Sequence, residues 1–351
     1  MTIIRRLLCL LALVPGFAAC APSEAGTQAT PAATGTPLPP PVPGARYPIV
    51  QNGRSGYIDG AGQVVVQPRY VAALPFSEGL AVVEDDAFTF GYIDSEGRIA
   101  IPATFDDAGA FVGGLAPVRI GRSSWGYINT TGALAIPLSF DFANPFSHGL
   151  AAVRDTAGRW GYIDTTGKLV IAPRYTYADL FDDERALVGV DGAAFWVDRT
   201  GKELTPRFER AGRLGGGLAP VLRDGRWGYV DTAGKDVIAS RFDDAYSFSE
   251  GLAAVKVGRS WGFIDRTGAE VIAARFTSVH SFADGRAPAN DGKRWGYIDR
   301  TGAFVIAPSY FMADPFENGL ARVATKRNIE GTPTRVVYIN AYGREVWSPK
   351  K

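Results

Sequence analysis

Few residues in this 351-residue chain are of the kinds that catalyse or hold metals. It has two histidines and two cysteines. His148 stands in "FSHGL" where parallel stretches read "FSEGL", and His280 lies in "TSVHSF". No HExxH or His/Asp spacing surrounds either, so both read as solvated loop histidines. Acids at Asp59, Asp94, Asp164, Asp198, Asp231, Asp265 and Asp299 recur at even spacing, and Asn129 and Asn340 fill the same slot. Asparagine keeps the hydrogen-bonding geometry of a turn and drops the charge, which fits a turn residue better than a cation ligand. No calcium-loop spacing accompanies them. Paired acids in "FDD" (Phe105–Asp107, Phe242–Asp244) and "FDDE" (Phe181–Glu184) fall between strand-like stretches, with nothing to set two carboxylates across a cleft. "GGGL" at Gly215–Leu218 leads into a strand rather than a helix, so a phosphate loop lacks its context. The expectation is a non-catalytic protein with no cofactor and no metal.

The elements that carry these residues are periodic. The word "RWGYID" at Arg159–Asp164 returns as "RWGYVD" at Arg226–Asp231 and "RWGYID" at Arg294–Asp299. Aligned on its aromatic, it recurs at Tyr57, Tyr92, Tyr127, Tyr162, Trp196, Tyr229, Phe263, Tyr297 and Tyr338. Nine copies at a period of about 34 residues define a repeat architecture. Each copy reads as three short strands, as in Gly251–Val255, Trp261–Asp265 and Ala269–Phe276, joined by glycine turns. No useful window shows an apolar period of 3.6 residues, so the chain reads as all-β. Prolines at Pro68, Pro102, Pro137, Pro173 and Pro308 are expected to terminate the third strand. Alternation puts the glycine of the word on the opposite face from its tryptophan and tyrosine. There it opens a slot where another backbone or an aromatic ring can approach closely, and covering it with a ring of the neighbouring repeat would make the word a docking device between successive copies.

The intact dipeptide stands at Trp125–Gly126, Trp160–Gly161, Trp227–Gly228, Trp261–Gly262 and Trp295–Gly296. On these residues the chain resembles the WG-repeat (KWG-repeat) proteins of bacteria over about residues 47–347. The resemblance implies a repeat scaffold that binds other molecules. The first and last copies are degenerate, as capping units of a stack would be. An open β-solenoid or superhelical array is the preferred architecture, with a closed propeller-like ring as the alternative.

The N-terminus reads as an address. Residues 1–19 carry Arg5 and Arg6, a short apolar run and small residues, as a signal peptide does. "FAAC" ending at Cys20 resembles the lipobox of bacterial lipoproteins, which implies acylation of Cys20. By the same resemblance, Ala21 implies sorting to the outer membrane, facing the periplasm. With Cys9 in the leader, the folded part has no cysteine, which excludes thiol catalysis and thiolate metal sites. Residues 20–46, rich in Pro, Ala and Thr, read as a disordered tether reaching up to about 80 Å when extended. The folded domain is then 47–347.

The chain carries 37 basic against 36 acidic residues, which lacks the electrostatic footprint of a nucleic-acid binder. A membrane contact is expected only through the lipid. The expected partner is an envelope protein, and the alternative is peptidoglycan or another glycan. Aromatics that break the repeat pattern, Tyr175, Tyr177, Tyr246 and Phe311, are the candidate ligand contacts.

Overall fold

A computed structural model describes residues 42–121, 124–328 and 330–350. The leader, Cys20 and the tether as far as residue 41 lie outside the described residues. Among the described residues there is no helix, and none long and apolar enough to cross a membrane.

From Tyr47 onward the described residues form nine antiparallel sheets in sequence order, each built from one stretch of chain. Seven have four strands and two have three. The fourth repeat is representative. Phe142–Ala143 pairs with Leu150–Arg154, which pairs with Trp160–Asp164, which pairs with Leu169–Tyr175. The reading of three strands per repeat therefore gains a fourth strand of two residues, within the stretch read as lying between strands. Two residues are too few to leave an alternating pattern in a sequence.

The turn after the Trp-Gly strand is held by the periodic acid, as expected. Asp164 Oδ1 accepts the backbone amides of Thr166 at 2.9 Å and Lys168 at 3.1 Å, and the Thr166 hydroxyl at 2.6 Å. Asn129 makes the same set. The carboxyl of Asp164 is held below its usual range, chiefly by the Thr166 hydroxyl.

The core lies between sheets. Tyr162, Ile171 and Tyr175 of the fourth sheet pack in one cluster with Phe181, Val188, Phe195 and Val197 of the fifth. Each tyrosine of the Trp-Gly word from Tyr57 to Tyr297 meets a phenylalanine of the next sheet, with centroids 4.8 Å apart for Tyr162 and Phe181. Its hydroxyl donates to a carbonyl 17 residues on: Tyr162 to Asp179 at 2.7 Å, Tyr127 to Asn144 at 2.7 Å, Tyr297 to Asp314 at 2.8 Å. An arginine at the end of the last strand reaches forward too, as Arg174 does to the Gly201 carbonyl at 2.5 Å and Arg275 to that of Gly302 at 2.7 Å.

The same contacts join the last sheet to the first. Tyr47, Ile49 and Ile58 share a cluster with Leu320, Tyr338 and Trp347. Tyr338 donates to the Pro48 carbonyl at 2.8 Å, and Tyr47 to that of Asn318 at 2.6 Å. The nine sheets thus close into a ring, the arrangement held as the alternative above, and the preferred open array is not adopted. The degenerate end copies are halves of one more interface, not caps against water. Closure is made by side chains, since among the described residues no sheet mixes strands from the two ends.

The glycine of the Trp-Gly word has a different partner from the one expected. A Cβ on Gly161 would stand 2.5 Å from the Ile171 carbonyl oxygen and 2.7 Å from the Pro173 nitrogen. Both belong to the next strand of the same sheet. Between Tyr162↔Ile171 and Trp160↔Tyr175 that strand gains extra residues, and its bulge lies over the glycine. Pro173 sits in the bulge, so it interrupts pairing and does not end it. Docking between repeats is carried by the tyrosine–phenylalanine pair.

Two copies test this reading. Phe195 and Val337 replace the glycine in the fifth and ninth sheets. In the seven sheets that keep it, the last strand has seven residues. In the fifth sheet that strand is reduced to the isolated bridges Ala194↔Phe208 and Val197↔Glu203, and in the ninth it spans three residues, Glu345–Trp347.

Candidate functional site

Most residues able to do chemistry are occupied by the architecture. His148 is exposed, with Nδ1 3.1 Å from the Phe181 carbonyl oxygen. His280 stacks on Trp295 at 5.1 Å, and desolvation lowers its pKa. Gly215 of "GGGL" serves close approach, because a side chain there would collide with the backbone carbonyl of Phe248 in the next sheet. Asp179 is buried and receives both Nε and Nη2 of Arg213 from the following sheet. Among the described residues no group of three His, Cys, Asp or Glu could hold a metal ion.

The four candidate aromatics separate sharply. Tyr175 is 1% exposed and lies at the end of a strand, where Tyr70, Phe105, Phe242, Phe276 and Tyr310 also stand. Its ring belongs to the core, which removes it from any contact surface and corrects the expectation. Tyr177 is 49% exposed, and burial of the rest of the ring, with Asp179 nearby, pushes its hydroxyl up to about 12. Tyr246 is 38% exposed and packs on Trp261, centroids 4.8 Å apart. Phe311 is half-buried beneath two guanidinium groups, Arg294 at 3.9 Å and Arg327 at 4.8 Å from the ring centre.

The Phe311 cluster follows from a substitution in the repeat. Arg226 precedes Trp227, and it forms an ion pair with Asp243, which follows the strand-end aromatic Phe242. Arg294 precedes Trp295 in the same way, but the residue after Tyr310 is Phe311. The arginine therefore meets a ring where its counterpart meets a carboxylate. Lys293 and the exposed Lys326 adjoin the two arginines in sequence. Among the described residues, neither Arg294, Arg327 nor Lys326 takes part in an ion pair. Phe311 was legible in the sequence as an off-pattern aromatic. The arginines were not, although the loss of the acid at that place in the repeat was a readable signal.

A second surface feature is a column at the start of the last strand. Ile99, Leu134 and Leu169 occupy equivalent places in the second, third and fourth sheets, and they are 68%, 51% and 49% exposed. In the sixth and seventh sheets the same place holds Asp236 and Glu270.

Nine radially repeated antiparallel sheets closed into a ring define a β-propeller, a repeat scaffold of the kind typical of protein-interaction modules. The pattern of the family described as "WG containing repeat" matches eight times, at 56–87, 90–122, 125–155, 160–192, 195–227, 227–259, 261–295 and 295–326. These matches span well over half the chain, and the protein belongs to that family. No curated protein matches the sequence. Among solved structures, a eukaryotic initiation factor is similar in fold at a TM-score of 0.62 and 11% identity, over 88% of this chain and 96% of that one. BamB from Moraxella catarrhalis aligns at 0.47 and 12% identity, over 75% and 93%. The WD40 β-propeller domain of Doa1 aligns at 0.33 and 13%, over 60% and 86%.

Proposed function

We propose that this protein is a non-catalytic lipoprotein of the bacterial cell envelope whose propeller binds a protein partner. Cys20 carries the lipid, residues 20–46 form the tether, and the ring faces the periplasm from the outer membrane. The observation that supports partner binding is the aliphatic column Ile99, Leu134 and Leu169, exposed in three consecutive blades. An aliphatic side chain gains nothing from water, and repeats elsewhere in the ring place acids there, so the fold does not require it. A second reading is a glycan- or peptidoglycan-binding module, favoured by the half-exposed rings of Tyr177 and Tyr246.

Cross-linked affinity purification of the full-length protein from its own envelope, with sacculi retained, tests both readings. One protein recovered in stoichiometric amount, and lost when Ile99, Leu134 and Leu169 are changed together to Glu, is the expected result. Muropeptides enriched without such a protein would overturn it in favour of the glycan reading.

A further inference from the structure

We infer that Phe311, Arg294 and Arg327 form a docking site for an acidic peptide segment of the partner. The inference rests on the interaction reading above and adds a chemistry to it. Both guanidinium groups lie over one ring, Arg294 at 3.9 Å and Arg327 at 4.8 Å, with Lys326 and Lys293 beside them in the chain. A cation over a half-buried ring gains little, and two cations over the same ring repel each other. An anion placed between them relieves that repulsion and accepts paired N–H donors from a planar guanidinium.

The ring itself indicates which anion. In the sixth blade the protein supplies the carboxylate from its own chain: Arg226 takes it from Asp243. Phe311 removes that internal partner from the equivalent Arg294 and puts a flat apolar surface in its place. An aspartate or glutamate of a bound peptide restores the missing carboxylate, while its neighbouring side chain covers the phenyl ring. The longer paired strands Leu320–Arg327 and Pro333–Asn340, unlike the five-residue equivalents in most other sheets, carry Arg327 out to this position.

The test uses the full-length protein in detergent and a fluorescent glutamate-rich peptide, read by anisotropy against a glutamine-rich control. The expected result is preference for the acidic peptide, weakened by salt and reduced at least about tenfold in Arg294→Gln and in Phe311→Asp. Phe311→Asp is the sharper variant, because it rebuilds the internal ion pair of the sixth blade and should leave thermal stability unchanged or raised. Equal binding of the two peptides, or unaltered affinity in Phe311→Asp, overturns the inference. Binding to phosphatidylglycerol vesicles without binding to the peptide also overturns it, and assigns the cluster to a lipid surface. Should the cross-linked partner still be recovered with Phe311→Asp while acidic peptides do not bind, this site falls and the interaction reading stands.

Discussion

The hydroxyl of Tyr338 donates to the carbonyl of Pro48 at 2.8 Å, across 290 residues of sequence. Elsewhere in the ring the same tyrosine position spans 17 residues to reach its carbonyl, as Tyr57 does with Leu74 at 2.6 Å. Closure therefore reuses the contact made by Tyr57, Tyr92, Tyr127, Tyr162, Tyr229 and Tyr297, while Trp196 and Phe263 hold the same place without a hydroxyl. Because the first sheet lacks the two-residue strand, Pro48 of its leading strand stands in as acceptor.

Removing that hydroxyl should cost what it costs anywhere else in the ring. Tyr338→Phe and Tyr162→Phe are each expected to destabilise by about 1 kcal/mol, with the partner carbonyl left short of a donor. Urea unfolding of the two variants checks this. A far smaller loss for Tyr338→Phe would mean that the ends are not joined as described.

Gly161→Val should be among the most damaging single changes. Its side chain would meet the backbone bulge of Ile171–Pro173, and backbone cannot turn aside as a side-chain tip can. A loss of about 3 kcal/mol or more is expected, together with a shortened last strand in the fourth blade. Hydrogen exchange of the Leu169–Tyr175 amides reports the second effect, and unchanged protection there would contradict the role given to the glycine.

Alkali should open the ring. Burial raises the hydroxyls of Tyr57, Tyr92, Tyr127, Tyr162, Tyr229 and Tyr297 well above the ordinary tyrosine value. A folded-state pKa above the unfolded one gives stability that is complete below about pH 10 and is lost as pH rises beyond it. Tyrosinate absorbance and circular dichroism should change together in one steep step. Gradual ionisation near pH 10 with the fold intact would show that these hydroxyls are open to water.

The turn acids should tolerate asparagine and resist alanine. Asp265→Asn keeps an oxygen for the amides of Thr267 and Ala269, as Asn129 and Asn340 do in their own turns. It is expected to leave stability within about 0.5 kcal/mol at neutral pH, against a loss of about 1–2 kcal/mol for Asp265→Ala. The Asp265 carboxyl is held low, first by the Thr267 hydroxyl. Its contribution is therefore present above the ordinary aspartate pKa and fades as pH falls through the lowered one. Thermal melts of the three proteins at neutral pH and near pH 3 separate the roles.

Much of the molecule was legible in the sequence because it depends on neighbours along the chain. Period, strand words and turns follow from alternation, from glycine where φ is positive, and from Asp or Asn two residues before an amide. The fourth strand was hidden because Phe142–Ala143 and its equivalents pair for only two residues. The use of the Trp-Gly glycine was misread for a related reason. Alternation says that a slot exists opposite Trp160 and Tyr162, but not that the bulge carrying Pro173 fills it. Tyr175 looked irregular beside Tyr177 and proved to be an ordinary core position, since aromatic identity alone does not report burial.

By itself, then, the sequence determined an all-β array of nine related units with an aromatic at the same place in each. Only the tertiary structure decided that the array closes, since closure depends on a small rotation between blades summed nine times, which no local pattern encodes. The tertiary structure also brought Arg294 and Arg327, 33 residues apart, over one phenyl ring. Side chains from two blades can share a ring only after packing has fixed where both blades stand.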